Sequence, residues 1–141
     1  MGFPPSPAMI DVVCGVIRDG KGRILACKRP MGKHLGGLWE FPGGKIDSGE
    51  SPETALAREL REELGVDARV GEPLEPVVWA YAEVTIRLWP FLCTIVRGEL
   101  TPMEHEELRW CAVSDFESLD WAEADLPILA QIRAMVSETA N

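Results

Sequence analysis

Gly44-Lys45-Ile46-Asp47-Ser48-Gly49-Glu50-Ser51-Pro52-Glu53-Thr54-Ala55-Leu56-Ala57-Arg58-Glu59-Leu60-Arg61-Glu62-Glu63-Leu64-Gly65-Val66 sets the architecture of this chain. Ser51 suits a helix N-cap, Pro52 the first helical position and Gly65 the left-handed stop, so the stretch predicts a helix from about Pro52 to Leu64. Thr54 stands where a full capping box needs Glu or Gln, so only half of that motif is present. At about 100° per residue, with Glu59 at zero, Glu62 falls near −60° and Glu63 near +40°. Leu56, Leu60 and Leu64 fill the adjoining sector, from about 60° to 140°. One stripe can anchor the helix in a core while the next gathers three carboxylates.

Like charges at these spacings destabilise a helix by a few tenths of a kcal/mol per pair, roughly. A hard divalent cation removes that repulsion and takes oxygen ligands. The helix alone leaves a second reading open, a solvated acidic face with Arg58 and Arg61 as partners. Just ahead of it, Phe41-Pro42-Gly43-Gly44-Lys45 places two glycines where backbone can approach an ion or a phosphate.

The spacing of Gly44, Glu50, Arg58-Glu59-Leu60, Glu62-Glu63 and Gly65-Val66 matches the Nudix box without departure, nine specified positions in 23 residues. With Trp39-Glu40-Phe41-Pro42-Gly43-Gly44-Lys45 in front of it, the chain resembles the MutT-like branch of that family from about Met9 onward. The resemblance implies an α/β fold, the Nudix α/β/α sandwich with a mixed β-sheet between helices.

Outward from the helix, residues 11–18 and 23–29 read as strands joined by the turn Asp19-Gly20-Lys21-Gly22, a hairpin. Residues 30–37 read as a glycine-rich loop, and Gly43-Gly44 as a turn into the helix. Further strands are expected at 68–70, 77–82, 84–96 and 110–113, with Pro90 forcing a break, a bulge or an edge. Leu126, Leu129, Ile132 and Met135 give helical periodicity over 122–136.

A chain of 141 residues, 46% hydrophobic and 26% charged, fits one globular domain, taken as 9–141 behind a proline-rich flexible tail at 1–8. A net charge of −9 argues against nonspecific nucleic-acid or anionic-membrane partners. No apolar run is long enough to span a bilayer, and residues 1–8 lack the basic start and apolar stretch of a signal peptide. Cys14, Cys27, Cys93 and Cys111 form no Cys-x-x-Cys pair, which suits reduced thiols in a cytoplasmic protein. The assembly is expected to be a monomer or homodimer.

For chemistry, the resemblance implies that the Gly43 carbonyl, Glu59 and Glu63 hold Mg²⁺, with Mn²⁺ able to substitute, and that one helix glutamate is the general base. Glu59 and Glu62 are the two candidates; Glu62 could also ligate a second ion. Arg58 would orient these carboxylates or simply pair with Glu62, and Glu50 would brace the loop. Glu104 lies six residues before Trp110, the interval at which relatives carry an extra metal ligand, with Glu107 the next choice. Arg29 is expected on the nucleotide, since a planar fork suits phosphate. Lys45 is either structural or a phosphate contact. Asp125 would face the base or cap the last helix. Tyr81 and Trp39 would stack on the base or pack in the core. The activity implied is Mg-dependent hydrolysis of a nucleoside triphosphate to monophosphate and pyrophosphate. An oxidised nucleotide such as 8-oxo-dGTP is the expected substrate, CTP or a modified dCTP the alternative, and a non-catalytic nucleotide sensor the rival.

Overall fold

The computed structural model describes residues 9–139; the tail expected at 1–8 lies outside them. Eight strands and two helices follow in the order β1 (Met9–Ile17), β2 (Ile24–Lys28), β3 (Trp39–Glu40), β4 (Gly43–Lys45), α1 (Pro52–Leu64), β5 (Asp67–Pro73), β6 (Val77–Ala80), β7 (Thr85–Arg97), β8 (Glu107–Cys111) and α2 (Leu126–Thr139). Short 3-10 turns at Val113–Ser118 and Glu123–Asp125 lead into α2, so this helix begins later than its periodicity suggests.

The strands form two sheets. The larger is mixed, in the order β4-β1-β7-β5, with β6 also pairing β7; β1 runs parallel to β7 and the other pairs are antiparallel. The smaller is antiparallel, β3-β2-β8. Alternation along β1 sorts the core. Val13 and Ile17 pack with Ala55, Leu56, Leu60 and Leu64 of α1. Cys14 and Val16 pack with Ile128, Leu129 and Ile132 of α2. Because successive strand residues point to opposite faces, the two helices cover opposite sides, and the expected layered α/β arrangement is present.

Two local expectations are corrected and a third is narrowed. The turn at 19–22 does not close a hairpin: beyond one bridge between Arg18 and Ile24, β1 and β2 part into different sheets. Gly43-Gly44 is not a turn but strand β4, paired to β1 through Cys14↔Gly43 and Val13↔Gly44. A Cβ on Gly43 would collide with the Val13 carbonyl oxygen, so only glycine permits this pairing. Pro90 neither breaks β7 nor marks a sheet edge; of the three outcomes expected, a bulge is the one found beside it, where β5 shifts register between Val70 and Pro73 opposite Cys93 and Phe91. The Pro90 carbonyl accepts from Leu74 N–H, on the side where β6 ends at Leu88 and β5 begins at Phe91. A residue's N–H and C=O point the same way in a strand, so the missing donor faces that gap and no ladder bond is lost.

Candidate active site

The local frame of the site is the α1–β4 junction. Ser51 Oγ accepts from Thr54 N–H at 3.2 Å, and Gly65, at φ 70°, closes the helix by donating to the Arg61 carbonyl. With its phase fixed by the buried leucines, α1 grades its carboxylates by their angle from the apolar stripe. Glu63, nearest the stripe, is 7% exposed. Glu59 is next, its side chain 15% exposed, and Glu62, farthest round, is 57% exposed.

Two glycines make room for the inner pair. Gly43 N–H donates to Glu63 Oε2 at 3.2 Å. At Gly44, a Cβ would lie 2.5–2.7 Å from the Glu59 carboxylate atoms. Arg58 lies across the helix face: Nε and Nη2 hold Glu50 at 2.8 and 2.9 Å, and Nη1 reaches Glu59 at 3.1 Å and Glu62 at 3.2 Å. Nη2 also donates to the Lys45 carbonyl at 3.2 Å. Arg58 is thus the hub of the face, and its guanidinium is held charged, chiefly by its bonds to Glu50.

Burial, and then the charges of Glu104, Glu59 and Glu40, push Glu63 up to about 9. Glu59 is raised too, by burial first, although Arg58 opposes the shift. Glu104 therefore comes within electrostatic reach of both helix carboxylates, as the interval before Trp110 suggests. Among the described residues, no three carboxylate, imidazole or thiol groups stand ready-made around one point for a cation. The carboxylates are instead turned to Arg58 and to Gly43 N–H. The donor set is nonetheless all hard oxygen, and a divalent cation would offset both the burial and the crowding that oppose ionisation of Glu63. These residues fit such an ion.

A cavity of about 640 Å³ opens beside this junction. Its walls include Gly43, Gly44, Glu63 and Glu104 together with Arg29, Glu40, Tyr81, His105 and Asp125. Asp125 is 6% exposed and lies directly before α2. Burial, then the charge of Glu40, raises its carboxyl well above the usual range, which favours the protonated form. Tyr81 lies edge-on to His34, with ring centroids 6.0 Å apart, and its hydroxyl accepts from Ala124 N–H at 3.4 Å.

Other expected residues lie elsewhere. Lys45, Arg58, Glu59 and Glu62 are not in the cavity wall. Trp39 is 6% exposed in the core, beneath the Arg109 guanidinium at 4.9 Å. Glu107 pairs with Arg109 at 2.9 Å. Arg29 does line the cavity, but much of its fork is engaged: Nε donates to the His34 carbonyl at 2.8 Å and Nη1 to both Glu40 oxygens at 3.2 Å. Glu40 and His105 were not singled out from sequence. Glu40 sits in the Trp39–Lys45 run that carries the family likeness, and His105 in the segment Glu104-His105 that, with Trp110-Cys111 and Asp125, resembles the CTP or modified-dCTP branch; neither signal assigns the residue a role.

A model of the NUDIX domain matches residues 9–132 of this chain. The chain belongs to the NUDIX family. This Nudix chain is 41% identical over 128 residues to the CTP pyrophosphohydrolase of Escherichia coli K12, covering 90% of this chain and 93% of that protein. It is 41% identical over 92 residues to the 8-oxo-dGTP diphosphatase of Proteus vulgaris, covering 65% of this chain and 82% of that one. Among solved structures, the solution structure of the E. coli ORF135 protein superposes with a TM-score of 0.81 at 37% identity, covering 97% of both chains. The chain is a Nudix hydrolase, and the expected fold and enzyme class both hold.

Proposed function

We propose that this Nudix hydrolase is a Mg-dependent nucleoside triphosphate pyrophosphohydrolase that acts on modified nucleotides such as 8-oxo-dGTP. One observation carries the reading. A single cavity is lined by Glu63, Glu104 and the β4 glycines, where a polyphosphate and cation fit, and also by Glu40 and Asp125, where a base edge fits. Water attacks phosphorus, the α–β anhydride bond breaks, and nucleoside monophosphate and pyrophosphate leave, with one proton passing to the general base.

Gly43, Glu59, Glu63 and Glu104 would hold the ion, with Glu62 at the outer edge. A bound divalent ion supplies charge neutralisation on phosphate oxygens and a more acidic water. The chain's own residues do the positioning. Arg58 aims the Glu59 and Glu62 carboxylates, and one of the two would take the water's proton. Gly43 N–H fixes Glu63. Glu40 offers acceptors and a protonated Asp125 offers a donor, a pair suited to a base that presents a donor beside an acceptor.

Hydrolysis of CTP or a modified dCTP is the second reading, favoured by the 41% identity to a CTP pyrophosphohydrolase. Cytosine presents its N4 amino donor beside N3, as that acceptor–donor pair requires. Normal, oxidised and methylated nucleoside triphosphates, compared by kcat/KM with Mg²⁺ and by product identity, decide between the two. Release of nucleoside diphosphate and inorganic phosphate would overturn both. Asp125→Ala should shift preference among bases more than it changes turnover on any one of them.

A further inference from the structure

We infer that His105 is a positioning residue that sets the orientation of the Glu40 carboxylate, and through it the discrimination between bases. The inference rests on the reading above, in which Glu40 meets the substrate.

His105 lies between β7 and β8, its side chain 5% exposed in the cavity wall. Its ring makes one hydrogen bond, from Nε2 to Glu40 Oε2 at 3.0 Å. The other ring nitrogen, Nδ1, is buried and has no hydrogen-bond partner among the described residues. An apolar side chain would fill this space without burying an unpaired nitrogen, so packing alone does not account for a histidine here. What the imidazole adds is the bond to Glu40.

That bond supplies something Arg29 does not. Arg29 Nη1 lies 3.2 Å from both Glu40 oxygens. If the carboxylate twists about Cγ–Cδ, one of these distances lengthens as the other shortens, so an equidistant contact resists the twist weakly. A bond to Oε2 alone selects one twist and hence the direction in which the free lone pairs point. The ring is itself well founded. Met103 N–H donates to the Glu63 carbonyl at 3.0 Å on one side of it, and Glu106 N–H donates to the Lys28 carbonyl at 2.9 Å on the other. A donor held this firmly preorganises the carboxylate at little further entropic cost.

The test compares His105→Ala, His105→Asn and His105→Gln with the parent enzyme on dCTP, CTP, dGTP and 8-oxo-dGTP in Mg²⁺, with Mn²⁺ binding followed by EPR. The amide of Gln can donate from near the Nε2 position; that of Asn is too short to reach Glu40. Ala and Asn should each raise KM for the best substrate about fivefold or more, narrow the preference between bases, and leave kcat within about twofold, while Gln restores the parent values. Mn²⁺ binding should be unchanged in all three. Parent-like selectivity in both Ala and Asn overturns the inference. So does a Gln variant as impaired as Asn, or a loss confined to kcat with weakened Mn²⁺ binding, which would place the effect on neighbouring Glu104. If Ala is insoluble, the Asn–Gln pair decides. Glu40→Gln separates the two levels: unchanged base preference in that variant removes the substrate contact itself, whereas a changed preference there beside parent-like His105 variants removes only the role of His105.

Discussion

Glu59, Glu62 and Glu63 differ because their angles from Leu60 differ. Glu63 gives up most of its hydration, Glu59 more than its bond to Arg58 offsets, and Glu62 little. That order was legible from the wheel: the angle from the apolar stripe fixes depth, and depth fixes how strongly like charges are felt. Glu63→Gln and Glu62→Gln should each reduce turnover with Mg²⁺ at least about tenfold, roughly 1.4 kcal/mol in barrier height, measured as kcat on the preferred triphosphate. Full activity in both would remove the helix face from the mechanism. The meeting of Glu40 and His105 was illegible for a physical reason. They stand 65 positions apart and meet only because β2 pairs with β3 on one side and with β8 on the other. No local periodicity encodes such a meeting.

Among the elements, α1 was legible to its end residues because its start and stop signals are local: a serine cap, a proline and a left-handed glycine. Ser51→Ala should remove the bond to Thr54 N–H and lower stability by about 1 kcal/mol, read from the urea midpoint with an unchanged slope. Strand β4 was missed because glycine, glycine and lysine carry no strand propensity; the pairing exists because β1 needs a partner without a side chain. Gly43→Ala should therefore be far more damaging than any substitution at Lys45, since the added methyl meets the Val13 carbonyl. Soluble yield and far-UV circular dichroism of the two variants, compared side by side, check this. Pro90 misled in the opposite direction as to a break or an edge, since a proline is disqualifying only on the side of a strand where a neighbour needs its N–H.

In the molecule as a whole, a buried carboxyl ties folding to proton concentration. Burial and like charges raise Glu63 from 4.5 to about 9 in the folded state. Its contribution to stability is therefore fully present below about pH 4.5 and is lost as pH climbs toward 9. In chelator, the melting temperature of the parent should fall more steeply across this window than that of Glu63→Gln, and saturating Mg²⁺ should recover most at the alkaline end. Equal slopes for the two proteins would contradict this. Buried Asp125 shifts in the same direction in both proteins, so the difference between them isolates Glu63. The layered fold was legible through the resemblance carried by Gly44–Val66, but the division into two sheets was not, because nothing in Asp19-Gly20-Lys21-Gly22 says that its flanking strands will part. β1 has the greatest consequence. Its even residues Cys14 and Val16 pack toward α2, while its odd residues Val13 and Ile17 clasp α1. Inserting or deleting one amino acid within 9–17 would exchange these duties at every position beyond the change. Length polymorphism among close kin should thus be tolerated at the 19–22 turn and purged from the first strand.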